Sequence, residues 1–411
     1  MAALCDRGNS CEDEQSPEKK SCITCTGQHC SKSHCTIFSD FPESLRKGFL
    51  FAALNFIMYE GMTVTTLSIG NCNADEPYSF SEAFCSVARK EKRYLFASLF
   101  ETGIRLLIDY TARKERKIPE NKQERFILAK LLHFIHNSTE KGECDPLQNL
   151  DRLKDGTETT ILLANHLFGK LSTSSDYLMN RQCKWKGENC PCSLPTCKLT
   201  GDFGDTSIGN GEVWHGNMDI IIKDELAIQT TKEDGESDSP GEKSPEEMKK
   251  GEKCLQKNPQ IIATTILFSF FQQHRHPESS HYLIPCIGIS STEMVIYFYE
   301  SEHDVLLESS GINIGTAVKD TLAVNVVAVI VAWIVVNHKY LCSGLMDILK
   351  AEKAHFFSKV GSKLSVYQNQ LKLGNVASVL HKYRKSTGSF PFIPDSVGNS
   401  LLKELERTNE G

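Results

Sequence analysis

Val213-Trp214-His215-Gly216-Asn217-Met218-Asp219-Ile220-Ile221-Ile222, then Lys223-Asp224, then Glu225-Leu226-Ala227-Ile228-Gln229-Thr230-Thr231: this stretch decides how the chain is read. Apolar, mostly β-branched runs on either side of a polar dipeptide predict a β-hairpin. Alternate residues of a strand share a face, so Asp219, Ile221 and Lys223 have one parity, and Ala227, Gln229 and Thr231 have another. The hairpin plants one carboxylate, Asp219, at the head of its first strand. Its second strand presents a polar pair, Gln229 and Thr231. If the two parities meet on one face, Asp219 and Gln229 converge.

Working outward, residues 232–257 are mostly Glu, Lys, Asp, Ser, Gly and Pro, with almost nothing to bury, and are expected to form a disordered surface loop. Such a loop is a place for protein partners to dock, and its Ser239-Pro240 and Ser244-Pro245 pairs read mainly as loop punctuation. Asn258-Pro259 then starts a largely buried helix running to Phe271. Tyr282–Ile289 and Met294–Tyr299 read as two strands, with Val305-Leu306-Leu307 as a short third. Upstream, Thr157–Phe168 is a helix closed by Gly169. Lys92–Ile108 and Arg125–Ile135 carry apolar residues at three- and four-residue spacing, so 41–150 reads as a helical region. Thr321–Val336 and Leu345–Lys359 read as helices too, which makes 346–411 a helical C-terminal region. The order of elements predicts a mixed α/β class: a central mixed β-sheet with flanking helices over 151–345, partly antiparallel because of the tight hairpin.

In that order and at those residues, about 155–300 resembles the PD-(D/E)XK nuclease superfamily, chiefly its recombination-nuclease branch. The resemblance implies a restriction-endonuclease-like core with an acid opening the second strand, an acid-x-lysine pair on the third and a glutamine early in the next helix. Asp219 stands at the first acid and His215-Gly216 at the turn leading to it. Gln229 falls on the second acid, Thr231 on the lysine and Gln260 on the helix glutamine. Such sites hold Mg²⁺, which takes hard oxygens in near-octahedral geometry and favours two carboxylates to balance its charge. The ion orients water and stabilises charge gathering on the phosphate, and the lysine offsets developing charge.

This chain departs from that pattern at two positions. A glutamine carbonyl can ligate Mg²⁺ but brings no charge, and threonine cannot replace lysine. Lys232 is adjacent but points to the opposite face unless a bulge re-aims it. Lys223 has the right parity but sits at the turn, and Glu101 or Glu158 would have to come from helices before the sheet. The resemblance therefore implies a nuclease-fold protein whose metal-dependent phosphodiester cleavage of nucleic acid is degenerate or lost.

The chain has 411 residues, 40% apolar and 24% charged, with a net charge of −6, so no global field attracts nucleic acid. The N-terminus has no apolar signal region, and Leu322–Val336 would be about 22 Å long as a helix, too short for a bilayer. These features lead to the expectation of an intracellular protein, cytoplasmic or nuclear, without membrane contact. Sixteen cysteines in such a setting point to reduced thiols or metal rather than disulfides. Cys22, Cys25, Cys30 and Cys35 have zinc-knuckle-like spacing within the Cys-rich tail 1–40, which is expected to be either disordered or knuckle-like. Cys183, Cys190, Cys192 and Cys197, in a Cys-rich insertion 183–197, form a second group able to close a tetrahedral Zn²⁺ site. The alternative to a nuclease is thus a non-enzymatic zinc-binding adaptor or nucleic-acid-binding protein. No His/Cys pairing in the sequence supports a cysteine hydrolase.

Overall fold

The computed structural model describes residues 32–112, 116–140, 146–147, 150, 156–182, 189–192, 194, 196–231, 255–290, 292–318 and 321–376. Its strands are β1 (Thr63–Cys72), β2 (Cys85–Leu95), β3 (Tyr177–Asn180), β4 (Asp202–Gly204), β5 (Ser207–Gly209), β6 (His215–Asn217), β7 (Ile220–Ile222) and β8 (Leu226–Thr230). They continue as β9 (Leu283–Ile289), β10 (Glu293–Glu300), β11 (Val305–Ser309), β12 (Ile312–Asn313), β13 (Gly315–Val318), β14 (Thr321–Val324) and β15 (Lys372–Leu373). The helices are α1 (Lys32–Asp40), α2 (Phe51–Asn55), α3 (Glu101–Thr111), α4 (Lys122–Glu140), α5 (Gly156–Leu163) and α6 (Gly169–Leu171), followed by α7 (Pro259–Arg275), α8 (Val326–Val336), α9 (His338–Leu341), α10 (Phe356–Val360) and α11 (Leu364–Asn369).

Ten strands build one mixed sheet in the order β2-β1-β11-β10-β9-β8-β7-β3-β4, with β12 attached to β10. Its pairs are antiparallel except β8 with β9 and β3 with β4. A parallel pair needs a crossover, and α7 supplies it between β8 and β9. The sequence dictates this helix locally. Pro259 occupies the first turn, and Asn258 Oδ1 accepts the backbone N–H groups of Gln260 (3.0 Å) and Ile261 (3.3 Å).

Alternation along the strands sorts the core into two layers. Ile220, Ile222, Leu226 and Ile228 pack into the layer holding α3, α4, α5 and α8. Ile221, Ala227 and Cys286 pack against α7 together with Phe356 and Tyr367. The α7 layer is pinned by a buried carboxylate. Glu308 accepts from the Tyr297 hydroxyl (2.6 Å), from the Lys257 backbone N–H and from Arg89 Nε (2.6 Å), which fixes the start of α7 to β10, β11 and β2.

The mixed α/β class with a central sheet and flanking helices is what the structure shows, but several expected boundaries differ. Region 41–150 is not helical throughout: β1 and β2 lie within it and form one edge of the central sheet. The sheet therefore draws on residues either side of 150. Lys92–Ile108 divides into the end of β2, a 3₁₀ turn at Phe96–Leu99 and α3, because Tyr94 and Phe96 alternate inward where a continuous helix would present them differently. Thr321–Val324 is strand β14, and Asn325 caps α8 by accepting the Val327 N–H (2.9 Å). Leu345–Lys359 holds only a 3₁₀ turn and the short α10, preceded by His355 in the left-handed region (φ 68°). Among the described residues no helix is long and apolar enough to cross a membrane.

Candidate functional site

The hairpin forms where the sequence reading expects it. Lys223 (φ 53°) and Asp224 (φ 57°) both take the left-handed conformation, and Glu225 N–H donates to the Ile222 carbonyl at 3.0 Å. The pairs Ile222↔Leu226 and Ile220↔Ile228 leave three residues in the loop rather than two. One further step along this register sets Asp219 opposite Gln229. The two side chains meet, with Gln229 Nε2 donating to Asp219 Oδ2 at 3.1 Å.

That same oxygen also accepts the Thr230 backbone N–H (2.7 Å) and the Thr230 hydroxyl (2.7 Å). Asp219 Oδ2 is thus held by three donors from the end of β8. Gln229 is buried, and its Oε1 is a polar atom without a hydrogen-bond partner. Below the cluster, burial pushes the Cys286 thiol up to about 12, with the Asp219 charge adding to the effect.

The other expected members do not join this cluster as the resemblance implies. Thr231 turns to the sheet, its backbone N–H on the Ile289 carbonyl (2.9 Å) and its hydroxyl 3.4 Å from the same oxygen. Gln260 sits in the first turn of α7, yet Ile261 is the residue placed over Gly288, the neighbour of Gln229 in β9. Lys223 donates from its exposed position to the Thr173 hydroxyl. Glu101 and Glu158 begin α3 and α5, which pack on the opposite face of the sheet. His215-Gly216 is strand β6 rather than a turn, and pairs with β5. Trp214 is a core residue whose Nε1 donates to Asn73 Oδ1 at 2.8 Å. Lys232 and the loop 232–257 lie outside the described residues, except that Leu255, Gln256 and Lys257 precede α7.

The second cluster is on the other face of the sheet. His166, Cys190, Cys192 and Cys197 bring one ligand atom each to within 4.8 Å of one another, an arrangement that could hold a metal ion. His166 Nε2 is 3.2 Å from Cys190 Sγ and 3.4 Å from Cys197 Sγ. A tetrahedral ion with bonds of about 2.0–2.3 Å needs ligand separations of roughly 3.3–3.8 Å, close to the two distances from His166, and the donor set as a whole lies within 4.8 Å.

Local structure explains the placement. Residues Ala164–Phe168 form a π-turn that joins α5 to α6 and turns Asn165 and His166 toward the cysteine loop. That loop is closed by the Cys190 N–H on the Cys197 carbonyl (3.0 Å) and by a bridge between Asn189 and Lys198. Behind it, buried Asn165 donates to the Lys198 carbonyl (3.2 Å) and lies 3.6 Å from Cys197 Sγ. It accepts from the hydroxyls of Tyr177 and Thr200 (3.0 Å each).

Burial pushes the His166 imidazole down to about 4 and the Cys190 thiol up to about 12, and it raises Cys197 as well. Both directions disfavour charge in a site without a cation; a divalent ion would reverse the thiol direction by favouring thiolate and would reinforce the neutral imidazole that serves as a ligand.

Three cysteines of the expected group, Cys190, Cys192 and Cys197, are therefore brought together. The fourth, Cys183, lies outside the described residues, and His166 completes the set. Sequence spacing drew attention to the nearest cysteine, whereas the histidine comes from a helix 24 residues before Cys190. Of the N-terminal group, Cys22, Cys25 and Cys30 lie outside the described residues, and Cys35 falls on α1. A third grouping, Glu300, Glu302 and His303, occupies the β10–β11 turn. There Glu300 accepts the His303 backbone N–H (2.6 Å) and meets its Nδ1 (2.9 Å), as turn capping requires.

Comparison with protein-family models, with curated proteins and with solved structures finds no match to this chain.

Proposed function

We propose that this protein is a zinc-stapled binding module on a nuclease-like sheet that has lost hydrolytic chemistry. The observation that carries this reading is the state of Asp219. Its Oδ2 is held by three internal donors, and its cross-strand partner is an uncharged glutamine. Phosphodiester hydrolysis by Mg²⁺ requires carboxylate oxygens turned toward the ion and a second charge to balance it. Among the described residues, the groups that hold Asp219 Oδ2 are the Gln229 amide and the Thr230 N–H and hydroxyl, and none of them carries a charge.

Zinc is the metal favoured at the other cluster, because three thiolates and one imidazole suit Zn²⁺ better than hard cations. The ion would be structural, holding the 189–198 loop against α5 and β3. Nucleic acid is the ligand class that the resemblance suggests. On β2, Arg89 and Lys90 are paired with Glu308 and Glu352, which reduces the charge that this strand offers to a phosphate backbone.

Elemental analysis of the purified chain tests the staple, with about one zinc per chain expected from this cluster and removed by Cys190→Ser. Incubation with single- and double-stranded DNA and RNA in Mg²⁺ or Mn²⁺ tests the chemistry. Intact substrates from both the wild type and Asp219→Ala are expected, and cleavage lost only in the variant would overturn the reading. Gel-shift measurements without cleavage test nucleic-acid binding.

One observation favours a second reading, residual cation binding at Asp219: the partnerless Gln229 Oε1 beside the carboxylate. Gln229→Glu combined with Thr231→Lys rebuilds the acid-x-lysine pattern. A gain of Mn²⁺ affinity in that variant would mark the sheet as the remnant of a hydrolytic site.

A further inference from the structure

Cys72 ends β1 and Cys85 begins β2, and the two are direct cross-strand partners. Their relation goes beyond proximity. Asn73 N–H donates to the Phe84 carbonyl at 3.2 Å, while Phe84 N–H donates to Asn73 Oδ1, which sets residues 73 and 84 at a hydrogen-bonding position of the register. Antiparallel pairs alternate, so Cys72 and Cys85 occupy the next, non-hydrogen-bonded position, where Cα atoms approach to about 4.5 Å and side chains lie closest. Disulfides span Cα separations of about 4.4–6.8 Å. Both side chains project into the α7 layer, Cys85 within the core and Cys72 at its margin, and both are free thiols.

The hairpin loop these residues close, 73–84, lies over the segment that leads to Asp219. Asn73 Oδ1 accepts from Trp214 Nε1, and the Tyr78 carbonyl accepts the His215 N–H at 3.1 Å. The Ala74 carbonyl accepts from the Tyr367 hydroxyl at 2.8 Å, and the Phe80 ring lies against Gly216. Asn73 also ties its own end of the loop to the other, donating to Glu82 O (3.1 Å) and accepting from Phe84 N–H (2.8 Å). A covalent tie at 72–85 would fix this loop and, through it, the position of Trp214 and His215.

We propose that Cys72 and Cys85 are a modification site: a cross-strand thiol pair that forms a disulfide by exchange with a low-molecular-weight disulfide such as oxidised glutathione. The partly exposed Cys72 reacts first. Its thiolate attacks one sulfur of the small disulfide, whose S–S bond breaks, and one small thiol leaves with the electron pair and gains a proton. Cys85 then loses its proton to solvent and attacks the Cys72 sulfur, expelling the second small thiol. Two protein thiols are oxidised and one small disulfide is reduced to two thiols. Burial raises both thiols above their ordinary range, so the exchange is slow near neutral pH and faster in alkali.

The test uses the full chain in its metal-loaded form. The protein is incubated with oxidised glutathione, remaining thiols are alkylated, and the product is cut with a Glu-specific protease, which cleaves at Glu76 and Glu82 between the two cysteines. The expected product is one species joining the Cys72 and Cys85 peptides, about 2 Da lighter than their reduced sum and separated by reductant. The wild type should also melt at a higher temperature oxidised than reduced, and Cys72→Ser should not show that rise. Peptide mapping of the wild type needs no variant, and Cys85→Ala substitutes if Cys72→Ser fails to fold. Recovery of both cysteines alkylated, both carrying glutathione without a link, or joined to other cysteines would overturn the proposal.

Discussion

The two clusters of chemistry-bearing side chains lie on opposite faces of one sheet, and they differ in where their lone pairs point. At His166, Cys190, Cys192 and Cys197 the ligand atoms converge on one another. Asn165 stands behind them and binds the loop more than the sulfurs. At Asp219 the strands also converge, but one carboxylate oxygen collects three donors, including its own strand neighbour's backbone. Convergence is necessary for metal chemistry and does not suffice for it. A cluster holds an ion more readily the less its acceptor atoms are engaged by the protein's own donors: Asn165 Nδ2 lies 3.4 Å from His166 Nε2 and 3.6 Å from Cys197 Sγ, whereas Asp219 Oδ2 has three donors at 2.7–3.1 Å.

The largest test of this contrast is removal of the metal ligands. Cys190→Ser or Cys192→Ser should abolish zinc retention and lower unfolding stability by more than about 4 kcal/mol, the range reached when a structural metal is lost. Equilibrium denaturation with parallel metal analysis measures both. If the variants keep full stability, the cluster is only a set of neighbouring thiols.

Acid separates the faces next, because their buried groups respond with opposite sign. His338, beside α8 on the metal-bearing side, is held neutral by burial, with its pKa lowered from 6.5 to about 4. The unfolded chain therefore takes up this proton first, and the contribution is lost as pH falls from 6.5 toward 4. It amounts to at most about 3 kcal/mol. On the α7 side, burial raises the carboxyl of Asp304, which accepts from Tyr299 at 2.9 Å. Its folded form takes up a proton before the unfolded one, so its contribution grows as pH falls from the raised carboxyl toward the ordinary value of 3.8. His338→Gln should flatten the loss in a stability–pH profile, and Asp304→Asn should steepen the net decline. Identical profiles for all three proteins would remove the distinction between the faces.

Asp219→Ala comes third. The Thr230 N–H and Gln229 Nε2 would lose their shared acceptor, at a cost of about 2 kcal/mol. A midpoint shift in denaturant at unchanged slope would show it. A variant as stable as the wild type would mean that the three hydrogen bonds do not anchor the end of β8.

What the sequence made legible follows from how local each signal was. The hairpin at Lys223-Asp224, the capped start of α7 and the meeting of Asp219 with Gln229 rest on alternation and turn chemistry within a few residues, and all three could be read directly. The strands β1 and β2 read as helical in sequence because β2 is an edge strand. Its charged run Arg89-Lys90-Glu91-Lys92-Arg93 blurs alternation while protecting the edge. His166 is not legible because a single histidine 24 residues before Cys190 forms no spacing pattern with the cysteines, and only the π-turn in three dimensions brings it to them. The hydrogen bonds that occupy Asp219 were equally invisible. Thr230 has the wrong parity to face it along an ideal strand, and reaches it because the strand ends there.

The smallest effect is expected at Thr231, the position of the lysine in the resembled pattern. Its hydroxyl lies 3.4 Å from the Ile289 carbonyl, too long for much stabilisation, while its backbone N–H holds the strand whatever the side chain. Thr231→Val should change stability by less than about 0.5 kcal/mol and leave zinc content untouched. A larger loss in a denaturant titration would mean that the hydroxyl has a role in the Asp219 cluster. In that case the polar pair on β8 would have to be treated as one unit with the aspartate, and the contrast between the two faces would narrow.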